Sequence, residues 1–467
     1  MAKNENGDGG GVRDEADPLG ARFVKLWAAS TTSALGSGLA LIAAPLYVAS
    51  RTSNPLIVSG ATGAAWLPWL LFALPGGVLV DRVDRRRLMV VIDWTRVAAM
   101  AALATAIATG HGSIALLYAV LFVINTGEIV FRSASQAMIP AVVPRARLER
   151  ANGWLTGGTT LTQGMLAGPL AGFLFAVAAC VPFFVNAGTY LASAVLIGLV
   201  AGTFRSSPRP AATSSRSEAG EAGKAGEAGK AGEAGKAGEA GASREAREAG
   251  AVRGLRSVRA EIAEGFRWVM DQRLLRTMAI LIGLLNVTLT AATAVLVLLA
   301  RERLGLGSVG YGLLFTAIAA GGIGGAVIGD RLIGWVTATW TIRIGLLIEA
   351  GTHLALATSR DPYLVGFILF AFGVHSSLWN IVANSLRQRL TPPEMLGRVG
   401  STTLFVAAGG NCVGAVLGGV IASSFGLTAP YWIGFVVAVI VSAATWRVFD
   451  RATVAQAYAQ PAPAQAS

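Results

Sequence analysis

Stretches of about 20 predominantly apolar residues, the length of helix that crosses a hydrocarbon layer about 30 Å thick, recur from Val24 to about Trp446. Twelve spans are predicted: 24–50, 56–80, 88–109, 113–136, 155–175, 180–202, 277–300, 309–334, 340–359, 363–386, 399–424 and 429–447. The composition agrees, since 54% of the 467 residues are hydrophobic and 14% are charged. Lipid offers backbone groups no hydrogen-bond partner, so the expected fold class is an all-α integral membrane protein. No cleavable signal is visible in the polar, Gly-rich start of the chain, and a disordered cytoplasmic tail is expected over 1–21.

A formal net charge of +12 raises the question of a nucleic-acid partner, which the placement of the basic residues answers. Lys25, Arg82, Arg85 to Arg87, Arg145, Arg147, Arg150, Arg331, Arg387, Arg389, Arg398 and Arg451 fall in or beside even-numbered loops and the termini. The odd-numbered loops hold little more than Arg51, Arg301, Arg303 and Arg360. Basic short loops stay in the cytoplasm, so both termini and the even loops are expected inside the cell membrane, and no nucleic acid is expected. Cys180 and Cys412 lie at or within spans and are expected to be packing residues rather than a disulfide or a metal pair.

The longest polar interruption contains glycine at every third position from Gly220 to Gly241, without the proline that a collagen helix requires. Residues 203–251 are therefore expected to be a low-complexity cytoplasmic linker between a six-helix bundle over 22–202 and another over 277–448, with a cytoplasmic tail over 449–467. Over 252–276, Leu255, Val258, Ile262, Phe266, Val269 and Leu274 recur at helical spacing among arginines. This predicts an amphipathic cytoplasmic helix, lying on the membrane face or packed under the protein itself. The division six and six suggests duplication. In "PRARLERANG" (Pro144 to Gly153) and "PPEMLGRVGS" (Pro392 to Ser401), before spans five and eleven, Pro, Leu and Arg coincide at one offset of 248 residues.

Between spans two and three, "LPGGVLVDRVDRRRLMVV" (residues 74–91) sets six charges between apolar runs. Gly76 and Gly77 suit close helix approach and the arginines hold the loop inside, but a loop needing only positive charge has no use for Asp81. Gly77, Asp81, Arg82, Arg86 and Arg87 resemble the loop signature of the major facilitator superfamily, departing from it at Asp84, where the family usually has Gly. The substitution is common in its branch of multidrug, macrolide and siderophore exporters. That branch is also resembled by "FVNAGTYLAS" (Phe184 to Ser193), "EGFRW" (Glu264 to Trp268) and "RQRLTPPEMLGRV" (Arg387 to Val399), over about residues 22 to 448 in all. The resemblance implies two pseudo-symmetric six-helix halves. It also implies an inner-gate role for the motif, with Asp81 near Gly397 to Ser401, stabilising the state closed to the cytoplasm.

In span five, "GMLAGPLAGF" holds Gly164, Gly168, Pro169 and Gly172, a small-residue groove with a proline kink. It resembles the family's antiporter motif, although Phe173 replaces the second closing Gly and the upstream Gly is out of register. Simple helix packing remains the alternative.

Ionisable groups inside a bilayer cost roughly 2.5–3.5 kcal/mol each and ask for a reason. Asp93 has Arg96, Glu128 has Arg132, and Glu349 has His353 one turn away, so each pair shares a helix face. Each also suits a structural ion pair. Asp93 and Arg96 lie near the inner end of span three and read as a structural intramembrane pair. Glu128 sits near mid-depth of span four. In the resembled fold, spans one, four, seven and ten line the cavity, so Glu128 with Arg132 becomes the candidate for proton coupling, ahead of Glu349 and His353 on an outer span. The same placement gives Asn125, Asn286, His375, Trp379 and Asn380 as substrate-cavity candidates, whereas Trp66 and Trp69 read as packing around Pro68.

No phosphate-binding loop, metal-spaced His and Cys cluster or nucleophile motif is visible, so neither an enzyme nor a cofactor is expected. The expected function is secondary transport: export of a lipophilic or amphipathic small molecule, driven by a proton gradient through alternating access. The expected partners are the lipid bilayer and that small molecule, and the expected state is a monomer. An importer or uniporter on the same fold is the alternative, followed by a membrane scaffold or sensor that transports nothing.

Overall fold

The computed structural model describes residues 19–72, 83–202, 204 and 263–449, which form helices and turns with no strand among them. The first half contains α1 (Ala21–Arg51), α2 (Pro55–Phe72), α3 (Arg85–Ala108), α4 (Ile114–Val142), α5 (Arg145–Val177) and α6 (Val181–Gly198). The second contains α7 (Arg273–Ala294), α8 (Ser308–Val336), α9 (Ala338–Thr358), α10 (Pro362–Leu390), α11 (Leu396–Phe425) and α12 (Ala429–Thr445). Ten helical stretches are long and apolar enough to cross a membrane, among the described residues. The exceptions are α9, which carries Arg343, Glu349 and His353, and the 17-residue α12. Gly77, Asp81, Arg82, most of the N-terminal tail, the glycine repeat, residues 252–262 and the C-terminal tail lie outside the described residues.

Local chemistry sets several helix starts. Ser113 caps α4 by accepting from the Leu116 amide at 3.1 Å. Asp361 caps α10 through the Tyr363 amide at 2.8 Å, with Pro362 in the first turn, where its missing N–H costs nothing. Span seven is interrupted at Val295, between α7 and the short helix Leu296–Glu302. The single helix predicted over 252–276 is corrected: a helix over 263–271 ends at Gln272, whose ψ of 108° is not helical, and α7 starts anew at Arg273. Its Val269 is buried with Leu275, Ala279 and Val399, and Glu264 meets Arg398 at 2.8 Å, so this segment packs on the protein's own second half.

The two halves repeat one packing scheme. In the first, α1 packs on α5 and α6, α3 on α4 and α6, and α2 on α4. In the second, α7 packs on α11 and α12, α9 on α10 and α12, and α8 on α10. The paired loop motifs fold alike: Pro144 (φ −58°, ψ 146°) and Pro392 (φ −56°, ψ 146°) each open a three-residue 3₁₀ turn that runs into a helix at Leu148 and Leu396. Arg86 donates to the Ile197 and Gly198 carbonyls at the end of α6, as Arg343 does to Trp446 just past α12 at 2.7 Å. Each thus puts a cation where helix carbonyls lack partners.

The halves meet through α5 against α8 and α2 against α11. A Cβ on Gly168 would strike the Gly312 carbonyl of α8, and one on Gly172 would strike the Ser308 carbonyl, so only glycine permits this backbone-to-backbone approach. A π turn, Thr160–Leu166, precedes Pro169, whose ring cannot serve the Met165 carbonyl; that oxygen accepts from Thr316 of α8 at 3.4 Å. Near the odd-numbered loops one buried core runs through both halves, with Tyr47 and Phe183 from the first and Leu298 and Tyr311 from the second. Toward the even-numbered loops the cores separate, one around Phe23, Met89 and Phe131, the other around Met278, Leu346 and Leu386. Among the described residues, the molecule is therefore joined at the odd-loop end and parted at the other.

Candidate functional site

A cavity of about 480 Å³ lies in the parted region, lined chiefly by α7, α10 and α11, with Glu349 from α9 and Trp66 from α2. Its wall runs from Arg387 and Val399 near the even-loop end to Leu289 and Asn411 deeper in. Asn286, His375, Trp379 and Asn380 all line it, whereas Asn125 is not among the lining residues and spends its amide on the Leu121 carbonyl at 2.9 Å. Asn286 and Asn380 likewise donate back to Ile282 and Ser376, which leaves each amide oxygen able to accept from a ligand. Trp66 corrects an expectation: it faces the cavity rather than only packing on Trp69 beside Pro68. Aromatic walls with a few fixed polar groups suit an amphipathic molecule in a space of this size.

The charged groups of the first half assemble elsewhere. Arg96 is fully buried and donates to Glu128 Oε2 at 2.7 Å, to Ser33 at 3.2 Å, to the Ile124 carbonyl at 3.3 Å and to Asp93 at 3.4 Å. Its guanidinium lies 4.9 Å from the Tyr190 ring centre and 5.4 Å from that of Phe131. Ser37 gives Glu128 Oε2 a second hydrogen bond, at 2.9 Å, and touches the Tyr190 hydroxyl. The expected Asp93–Arg96 pair forms, but within one cluster of α3 and α4 in which Glu128 pairs with Arg96 rather than with Arg132. Gly127 makes the room, because a Cβ there would strike Arg96 Nε. Glu128 and Arg132 both line a separate polar crevice of about 70 Å³, with Gln136 and, from the π turn of α5, Gln163. The expected placement of Glu128 in one cavity with Asn286 and Trp379 is therefore not what the fold gives.

In the second half Glu349 lies 3.6 Å from His353 and 3.9 Å from His375. Spacing alone suggested only the first contact; the second joins α9 to α10 and brings Glu349 to the cavity wall. No group of three or more His, Cys, Asp or Glu is placed to hold a metal ion, among the described residues. Both cysteines are free.

Asp84, the departure in the loop motif, is the N-cap of α3. It accepts from the Arg87 amide at 2.9 Å and, through its other oxygen, from the Phe204 amide at 2.9 Å, while the Phe204 carbonyl accepts from the Arg85 amide. A glycine here would supply neither acceptor.

Among characterised proteins, the chain is 28% identical over 133 residues to macrolide efflux protein A of Streptococcus pyogenes, covering 28% of this chain and 33% of that protein. It is 31% identical over 161 residues to the multidrug efflux pump Tap of Mycobacterium tuberculosis (strain CDC 1551 / Oshkosh), covering 33% of this chain and 38% of that pump. The matched stretch thus spans little more than a third of these relatives' length. Among solved structures, the nucleoside transporter NupG superposes with a TM-score of 0.70 at 9% identity, over 92% of this chain and 100% of that one. A bacterial homologue of the iron transporter ferroportin in its inward-facing state gives 0.66 at 13% identity, over 93% and 100%. At such identities the likeness is one of fold. The sequence pattern of the Major Facilitator Superfamily matches residues 26–415, and the chain belongs to that superfamily of membrane transporters.

Proposed function

We propose that this transporter exports a lipophilic or amphipathic small molecule across the cytoplasmic membrane, by proton antiport and alternating access, as a monomer with both termini in the cytoplasm. The observation that carries the reading is the cavity of about 480 Å³, walled by Trp66, Phe372 and Trp379 and open toward the basic, even-numbered loops while the other end is packed shut. A carrier waiting for cytoplasmic cargo has this form. The likeness to a macrolide efflux protein and a multidrug efflux pump supports export. The α5 groove of Gly164, Gly168, Pro169 and Gly172 supports exchange, because it seals the half of the interface that must part on the outward stroke.

Glu128 is the proposed coupling carboxylate. It shares Arg96 with Asp93, so one guanidinium faces two carboxylates, and its side chain reaches the polar crevice beside Arg132. A proton on Glu128 would relieve that excess of negative charge. Gly77, Asp81, Arg82, Arg86 and Arg87 remain the proposed inner gate, and Arg86 ties the start of α3 to the end of α6.

The test is uptake of ethidium and a macrolide by inverted vesicles with and without an inside-acid pH gradient. Wild type should accumulate the probe only with the gradient, and Glu128→Gln should lower that accumulation about tenfold or more. Uptake that ignores both the gradient and Glu128 would overturn the coupling. Uptake of neither probe, in vesicles where the folded protein is present, would overturn export of this class of molecule.

A further inference from the structure

The duplication that relates the halves also relates their ion clusters. Asp93, Arg96 and Glu128 correspond to Glu349, His353 and His375 at offsets of 256, 257 and 247 residues, on the third and fourth helices of each half. The second cluster keeps a carboxylate at the position of Asp93 but replaces the guanidinium by one imidazole and the partner carboxylate by another. Arginine stays charged throughout the physiological range, whereas imidazole changes charge within it.

The surroundings are shaped for the two rings. A Cβ on Gly345 of α9 would strike the ring of His375, and one on Gly434 of α12 would strike that of His353, so each imidazole occupies a notch that glycine leaves. Both rings and Glu349 are buried, and neither ring nitrogen of His353 has a hydrogen-bond partner. At 3.6 and 3.9 Å the imidazoles stand beyond hydrogen-bond reach of the carboxylate yet well within reach of its charge. Glu349 is also faced by Tyr431 of α12, whose hydroxyl is donated to the Ala292 carbonyl; Leu289, Thr293 and Ile318 from α7 and α8 bring no charge. Glu349 and His375 reach the cavity and His353 lies behind them, so a proton can enter from the cavity side.

We propose that Glu349, His353 and His375 form a proton-binding site in the second half, an imidazole-based counterpart of the arginine-based cluster around Arg96. One proton is shared among the three groups, and the site loads or unloads as the cavity changes sides. The proposal deepens the antiport reading, but it is tested without substrate or transport, so either can fail alone.

The chain has three histidines, and the third, His111, is exposed. Full-length protein carrying a non-histidine affinity tag and ¹⁵N-labelled histidine, held in lipid nanodiscs, therefore gives three assignable rings, one of them a reference. Between pH 5 and 8.5, His353 and His375 should both change protonation. Glu349→Gln should lower both midpoints by about one pH unit or more and leave His111 unmoved, and Glu349→Asp should keep most of the wild-type behaviour. His353→Gln, which leaves the carboxylate in place, should raise the His375 midpoint by removing a competitor for the same charge. Rings that stay neutral throughout would overturn the site. So would midpoints indifferent to Glu349→Gln or, should that variant not fold, a His375 midpoint indifferent to His353→Gln.

Discussion

At matching places in its two halves the protein carries one ion cluster built on arginine and one built on histidine. Around Arg96, contacts of 2.7 to 3.4 Å and two aromatic rings tie α3, α4 and α6 together. Around Glu349 the contacts are 3.6 and 3.9 Å and the carboxylate opens onto the cavity. A duplicated fold can thus hold a buried charge at one place for two purposes. Where the cation is arginine, only its carboxylate partners can change charge near neutral pH; where it is histidine, the cation itself can.

The largest expected effect breaks the first cluster. Arg96→Met should lower folding stability by about 3–5 kcal/mol, because the buried Asp93 and the partly buried Glu128 would remain with no cation. His353→Gln should cost no more than about 1 kcal/mol, since its ring nitrogens have no hydrogen-bond partner to lose. Thermal unfolding of the detergent-solubilised proteins, followed by tryptophan fluorescence, measures both. Equal losses would mean that the two clusters do the same structural work.

What the sequence disclosed about these clusters follows from distance along the chain. Spacing of three or four residues put Asp93 with Arg96 and Glu349 with His353, and both contacts form. The same rule paired Glu128 with Arg132 wrongly, because it is blind to a guanidinium arriving from another helix. Gly127 was the available clue, a gap beside a carboxylate, but a gap does not say what fills it. His375 and Trp66 reach the cavity wall through packing of α10 on α9 and α2 on α11, contacts of long sequence separation that no local pattern encodes. The apolar spans and the repeated Pro, Leu and Arg were legible because each depends only on its neighbours. The linker's place divided the spans into halves, and the family resemblance supplied which spans to expect at the cavity; α9, expected outside, contributes Glu349.

A smaller effect contrasts the two ends of the interface between the halves. Gly168→Leu should destabilise by about 1–3 kcal/mol, since its side chain would meet the α8 backbone at Gly312. It should also let a thiol reagent reach a cysteine placed at Tyr311, which is buried in the shared core of the unmodified protein. Gly397→Ala, at the parted end with no atom of the described residues within 4 Å of the added Cβ, should change stability by less than about 0.5 kcal/mol. Labelling at position 311 that Gly168→Leu leaves unchanged would show that α5 does not hold the odd-loop end shut.

The smallest effect concerns how the two corresponding helices begin. Asp84 caps α3 with one oxygen and holds the Phe204 amide with the other, so Asp84→Ala should cost about 1–2 kcal/mol. Asp84→Gly, the residue common in the resembled signature, should lose about as much, because glycine keeps the backbone and drops both acceptors. At the start of α9, Thr337 makes no side-chain cap and sits at φ 71°, ψ 153°, a conformation natural to glycine alone. Thr337→Gly should therefore stabilise by about 1 kcal/mol, the opposite sign from the same replacement at Asp84. Melting of the two glycine variants side by side decides it. An Asp84→Gly variant that melts no lower than wild type would mean that Asp84 does not serve α3 as its cap, and a Thr337→Gly variant that melts lower would mean that Thr337 is not strained.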